Sequence, residues 1–142
     1  AEDLELATEL MTPFAHWITP TFVPKRFDTW FFLADAPEDQ VALHDGSEST
    51  DSVWIGAQEA IDEAKAGKRT LVHATQKNLE LLAEGGTVAG ALAQAASRKV
   101  VTVQPWVEAR DGKRFLHIPE GAGYRNLIRE MPAAGGVPQT GR

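Results

Sequence analysis

HWITPTFVPKRFDTWFFLAD, running from His16 to Asp35, joins two aromatic-rich runs through a proline-bracketed, cationic connection. Phe14 to Thr19 (FAHWIT) and Phe27 to Ala34 (FDTWFFLA) are rich in the aromatic and β-branched residues that suit a pleated surface. Pro20 and Pro24 flank the connection, and proline cannot donate to a sheet ladder. The spacing predicts a strand, a stiff loop and a second strand. Lys25 and Arg26 stand at the entry to the second run, where a cationic fork meets a wall of rings. The abrupt change to Trp-Phe-Phe-Leu predicts a strand covered on both faces.

The chain has 142 residues, enough for one domain with a single core. Its hydrophobic content of 43% and charged content of 24% are those of an ordinary globular chain. No apolar run approaches the ~18 residues of a membrane span, and no signal peptide opens the sequence. The absence of cysteine excludes disulfides and thiolate metal sites and points to a reducing, cytoplasmic setting. A net charge of −6 argues against a general nucleic-acid binder, which needs excess cations to displace counterions. Position 1 is Ala, as expected of a removed initiator or of an internal cut.

Leu4, Ala7 and Met11, with Leu6 and Leu10, have helical spacing, and Glu2, Asp3 and Glu5 favour a helix N-terminus. Ala1 to Met11 is therefore expected to be a short amphipathic helix stopped by Pro13. Between Phe27 and Ala64 there is no Lys or Arg, yet half of the 20 acids lie there. Such a run suits a solvated surface, or a surface that holds a hard divalent cation on carboxylate oxygens. Asp45-Gly-Ser-Glu48 is the candidate cluster, because Gly46 allows a tight turn that aims both carboxylates one way.

Further on, Val53 to Ile55 and Thr70 to Val72 are short strand candidates. Ala57 to Ala66 reads as a helix with Ala60, Ile61 and Ala64 inward and Gly67 as a left-handed cap. Thr75 is expected to cap a helix over Gln76 to Glu84, with Leu79, Leu82 and Ala83 on one face. Thr87 is expected to cap Val88 to Ala96, with Val88, Leu92 and Ala95 inward. EGGTVAGA lacks the Gly-Lys-Ser/Thr ending of a phosphate loop and reads as punctuation between helices. Asp111-Gly112 predicts a hairpin between Val100–Glu108 and Phe115–Ile118, placing Trp106 near Phe115 or His117. The Gly- and Pro-rich tail from Pro119 has little periodicity, and residues 133–142 are expected to be a mobile tail on a domain spanning 1–132.

The four histidines are scattered without i, i+4 pairing, so a zinc site is not expected. There is no G-x-S-x-G elbow, and Gly121-Ala-Gly123 lacks the rest of a dinucleotide fingerprint. What remains suits a pyrophosphate. Arg26 offers a planar fork for a phosphate with Lys25 beside it, Phe27 and Trp30 are rings fit to stack on a base, and Glu48 suits a place near metal or attacking water. Each has a plainer reading too: Arg26 paired with Asp28 or the acidic interval, Phe27 and Trp30 as core, and Glu48 as a solvated acid.

WITP (Trp17–Pro20) and PKRFDTWFFLA (Pro24–Ala34), with Gln40, Asp45, Glu48 and Trp54, resemble the part that follows the box in a group of Nudix hydrolases. That group includes peroxisomal-type acyl-coenzyme A diphosphatases. The likeness continues through Ala57–Ala60, Thr70–Thr75 and Pro105–Val107 and so covers most of the chain. The Nudix box itself appears nowhere in these residues. The resemblance implies an α+β fold: a Nudix-like α/β/α sandwich with a mixed, largely antiparallel sheet, its N-terminal part missing. It implies hydrolysis of the phosphoanhydride in a nucleoside diphosphate linked to another moiety, coenzyme A derivatives being favoured. Lys25, Arg26, Phe27 and Trp30 would bind substrate, Glu48 would act in catalysis, and Asp45 and Glu48 would sit near Mg²⁺ or Mn²⁺. Because the box glutamates carry those ions in the family, this chain alone is expected to be inactive. Its exposed sheet is expected to need cover from the missing N-terminal segment or a homo-oligomer partner. The alternative is a non-catalytic binding or assembly module on the same scaffold.

Overall fold

The computed structural model describes residues 7–37, 46 and 52–132. These carry three helices and two three-stranded sheets, an α+β composition. The first sheet holds β1 (Thr12–Ile18), β2 (Asp28–Leu33) and β3 (Thr102–Val103) in the order β2-β1-β3. The second holds β4 (Trp106–Arg110), β5 (Lys113–His117) and β6 (Ile128–Glu130), antiparallel throughout. Between β2 and β3 in sequence lie α1 (Ala57–Lys65), α2 (His73–Ala83) and α3 (Val88–Ser97). The chain divides into two compact units, Ala1–Phe14 with Phe31–Lys99 and Ala15–Trp30 with Val100–Arg142. Among the described residues no helix is long and apolar enough to cross a membrane.

The two aromatic runs form strands where expected, but their burial differs. In β1, Phe14, Ala15, His16 and Trp17 are consecutively buried, as befits a central strand with neighbours on both edges. In β2, exposure alternates, and Asp28, Trp30 and Phe32 lie on the open side. Covering on both faces was therefore the wrong expectation for β2, which is an edge strand with one solvated face. Only residues 8–10 of the expected N-terminal helix are helical, as one 3-10 turn, and residues 1–6 lie outside the described part. Pro13 sits at the second position of β1 and does not end a helix.

In the first unit, α1 buries Ala60 and Ile61, with Glu59 in its first turn and Lys65 in its last, each matched to the helix dipole. Gly67 has φ 75°, the left-handed conformation that frees the chain after the helix. Helix α2 begins at His73, three residues before the expected Gln76, and its buried face is Lys77, Asn78 and Leu81, not Leu79, Leu82 and Ala83. Thr87 does cap α3, its hydroxyl accepting from the N–H of Gly90 at 3.0 Å. The α2–α3 turn is tight. A Cβ on Gly90 would stand 2.2 Å from the carbonyl oxygen of Gly85, which explains EGGTVAGA as packing punctuation. Val88 is 62% exposed, so the buried face of α3 is Ala91 and Ala95. Neither Val53–Ile55 nor Thr70–Val72 is a strand, and Trp54 is 78% exposed. Three apolar residues cannot hold extended pairing without a partner strand to complete the ladder.

In the second unit, Asp111 and Gly112 have φ of 52° and 73°, the pair of left-handed residues that a two-residue hairpin turn requires. The turn sets the register, which pairs Trp106 with His117 and Glu108 with Phe115. β3 ends before the hairpin and joins the first sheet, parallel to β1. β6 arises in the Gly-rich tail, where no periodicity announced it. Three residues are too few to show alternation. Residues 133–142 lie outside the described part.

Candidate functional site

The candidate site is built on the loop from Thr19 to Phe27 and on the strand residues beside it, all within the second unit. Three hydrogen bonds close the base of the loop. Thr19 N–H donates to the Phe27 carbonyl at 2.9 Å. Phe27 N–H donates to the Thr19 hydroxyl at 3.0 Å, and Arg26 Nε–H donates to the Thr19 carbonyl at 3.0 Å. Val23 N–H donates to the Pro20 carbonyl at 3.2 Å and tightens the tip. The prolines fix φ near −65°, so the loop is stiff as well as closed.

On this base Lys25, Arg26 and Phe27 come together, all exposed. Lys25 Nζ lies 5.1 Å from the centre of the Phe27 ring, where the ring quadrupole attracts a cation. Phe27, 56% exposed, is thus neither core nor a bare platform: it steadies Lys25. Among the described residues neither Lys25 nor the terminal nitrogens of Arg26 pair with a carboxylate. The pairing of Arg26 with Asp28 does not occur, because Asp28 is engaged elsewhere. The guanidinium of exposed Arg26 is held through Nε, and its bond to Thr19 leaves the terminal nitrogens as the donors a bidentate phosphate contact uses.

Asp28 points to His16. Oδ1 lies 2.5 Å from His16 Nε2, while His16 Nδ1 lies 2.8 Å from the Thr102 hydroxyl. An ionised carboxylate only accepts, so Nε2 carries the proton, and in the neutral ring Nδ1 accepts from Thr102. His16 is buried, whereas the side chain of Asp28 is 65% exposed. The Trp30 ring stacks on the imidazole, centroids 4.3 Å apart and planes at 12°. Central β1 is thereby tied to β2 through Asp28 and to β3 through Thr102. Trp30 is 50% exposed and is carried by β2, not buried in a core.

Sequence reasoning missed this linkage and the bracing role of Thr19. His16 and Asp28 are separated by a loop whose length alone does not set the register. Nothing in the sequence pairs either of them with Thr102, which reaches His16 only through the parallel β1–β3 pairing. A second polar group lies on the hairpin. Trp106 stacks on His117 at 5.3 Å, and His117 Nε2 lies 3.0 Å from Glu108 Oε2 but makes no hydrogen bond, so the contact is electrostatic and poorly aligned.

Asp45 and Glu48 lie outside the described residues, although Gly46 between them has φ 76°, as a tight turn requires. Among the described residues no three His, Asp or Glu gather into a group fit for a cation such as Mg²⁺ or Mn²⁺. A groove of about 650 Å³ in the first unit, between the start of α1 and the α2–α3 turn, has Glu59 as its one charged lining residue and offers a phosphate no cation. Compared with known proteins, the chain matches no family model, no curated protein and no solved structure.

Proposed function

We propose that the chain is the substrate-holding part of a Nudix-type diphosphatase. It acts on the phosphoanhydride of a nucleoside diphosphate linked to another moiety, with coenzyme A derivatives favoured. On this reading the two sheets and three helices belong to a Nudix-like α/β/α sandwich, completed by a box-bearing segment that these residues do not contain. The observation that carries the proposal is the braced loop, with Arg26 held by its Nε and Lys25 seated on Phe27 beside it. Two cations side by side on a stiff loop neutralise adjacent phosphates without having to be ordered on binding. Mg²⁺ or Mn²⁺, when bound by the box glutamates with Asp45 and Glu48 nearby, would supply the activated water. The residues of this chain bind and orient the phosphates.

The test has two arms. In the first, ADP and coenzyme A are titrated calorimetrically into the 142-residue chain. Binding that weakens ~10–100-fold in Arg26→Ala supports the reading, that range following from one charge-assisted contact. In the second, Mg²⁺-dependent cleavage of an acyl-coenzyme A is assayed with and without an added box-bearing segment. Cleavage by the chain alone, or binding indifferent to Arg26, overturns it. A second reading, a non-catalytic binding or assembly module, is favoured by the exposed rings of Phe22, Phe27 and Trp30 within one unit. It predicts self-association or partner capture, with no cleavage whether or not the box-bearing segment is added.

A further inference from the structure

In an ordinary closing pair of an antiparallel loop, two residues exchange both backbone hydrogen bonds: each N–H donates to the other's carbonyl. Thr19 and Phe27 depart from that pattern. Thr19 N–H donates to the Phe27 carbonyl at 2.9 Å, but Phe27 N–H goes to the Thr19 hydroxyl at 3.0 Å. The side chain has taken the place of its own carbonyl. That carbonyl is then open to the Nε–H of Arg26, which it accepts at 3.0 Å. The next residue, Pro20, has no N–H to add to the network.

We propose that Thr19 is a positioning residue for Arg26, its hydroxyl diverting the Phe27 N–H so that its carbonyl anchors the guanidinium through Nε and leaves both terminal nitrogens to the ligand. The assignment rests on the phosphate-binding reading of the loop and extends it to a residue with no charge and no direct ligand contact. A hydroxyl is required, and only Thr or Ser supplies one at that reach. Without it the Phe27 N–H must find another acceptor. The acceptor of an ordinary closing pair is the Thr19 carbonyl itself, which would then be shared between the Phe27 N–H and Arg26 Nε–H, each less well aligned. Arg26 loses its anchor and its fork becomes one rotamer among many, an entropy paid again at each binding event.

The experiment is a double-mutant cycle between Thr19 and Arg26 in the full chain, read by calorimetric titration of ADP and of inorganic pyrophosphate. Thr19→Val is expected to weaken both ligands ~5–30-fold, Thr19→Ser to stay within ~3-fold of wild type, and Arg26→Ala to weaken them ~10–100-fold. Adding Thr19→Val to Arg26→Ala should cost less than ~2-fold more, because the residue it positions is gone. A merely structural Thr19 would weaken binding by the same factor in both backgrounds, and that result overturns the proposal. Should Thr19→Val fail to fold, the wild-type protein still decides. The Arg26 Nε–H is expected to exchange with water more slowly than that of the exposed Arg114, and equal exchange overturns the assignment. If Arg26→Ala weakens binding while Thr19→Val does not, Thr19 is excluded and the phosphate loop stands. If wild type binds neither ligand, both readings fall together.

Discussion

His16 Nε2 and Asp28 Oδ1 lie 2.5 Å apart, one on buried β1 and the other on the solvated face of edge strand β2. The pair is unequal. His16 also holds Thr102 and supports Trp30, whereas Asp28 keeps most of its hydration. His16→Ala is therefore expected to destabilise the fold by about 2–4 kcal/mol, through a lost cross-sheet link and a cavity beneath the indole. Asp28→Asn is expected to cost only about 0.5–1.5 kcal/mol, since its partner still finds an acceptor oxygen and water. Urea unfolding followed by tryptophan fluorescence measures both. Equal losses in the two variants would show that His16 has no separate role in holding β3 and Trp30.

Gly90 gives a prediction with an unusual sign. Gly→Ala in a helix interior ordinarily gains about 0.5–1 kcal/mol. Here the added methyl would stand 2.2 Å from the Gly85 carbonyl, a backbone atom that cannot swing away. Gly90→Ala is expected to lower stability by about 2 kcal/mol or more, and Thr87→Ala by about 1 kcal/mol through loss of the cap. Thermal melts compare them, and a stabilised Gly90→Ala would refute the close approach.

Acid stability should report on Glu80. Its partial burial pushes the carboxyl up, but hydrogen bonds from Lys77 and Gln76, with the nearby charges of Lys77 and His73, outweigh that and hold it below its ordinary 4.5. A carboxyl depressed in the folded state contributes stability that is fully present above its unfolded value and is lost as pH falls through the folded one. Stability is thus expected to decline below about pH 4.5. Glu80→Gln should flatten that decline relative to wild type while lowering stability at neutral pH. Denaturation midpoints measured from pH 7 downward test it, and parallel curves for the two proteins would count against it.

The hairpin turn yields a further contrast. Both turn residues have positive φ, a conformation open to Asn, Asp and Gly and closed to β-branched side chains. Asp111→Asn is expected to change stability by less than about 0.5 kcal/mol, whereas Asp111→Val should cost about 1–2 kcal/mol. The same unfolding assay applies, with the near-ultraviolet signal of Trp106 on His117 reporting the register. A tolerated valine would mean that the turn is not of this type.

Salt dependence separates the fork from simple charge. Arg26→Lys keeps the charge but loses the planar pair of donors. It is expected to weaken ADP binding by about 5–30-fold with little change in the salt slope, whereas Lys25→Ala should reduce the slope and weaken binding only about 2–5-fold. Identical behaviour of Arg26→Lys and wild type would leave the fork without a role.

Local chemistry was legible in the sequence wherever one residue type has a narrow set of uses. Asp111-Gly112 announced its turn, Thr87 its cap, Gly67 its left-handed exit, and the aromatic runs on either side of Pro20 and Pro24 announced β1 and β2, because each preference acts within a few residues of chain. Lys25, Arg26 and Phe27 were found as a group for the same reason: they are neighbours on one loop. What tertiary structure alone decided depends on which strand lies beside which. β2 became an edge with Trp30 and Phe32 facing out, α2 turned Lys77 and Asn78 inward, and Thr102 met His16 only because β3 runs parallel to β1 across 86 positions of sequence. Side-chain partners at that separation are set by register and burial, which are properties of the packed whole, and no short window of residues encodes them.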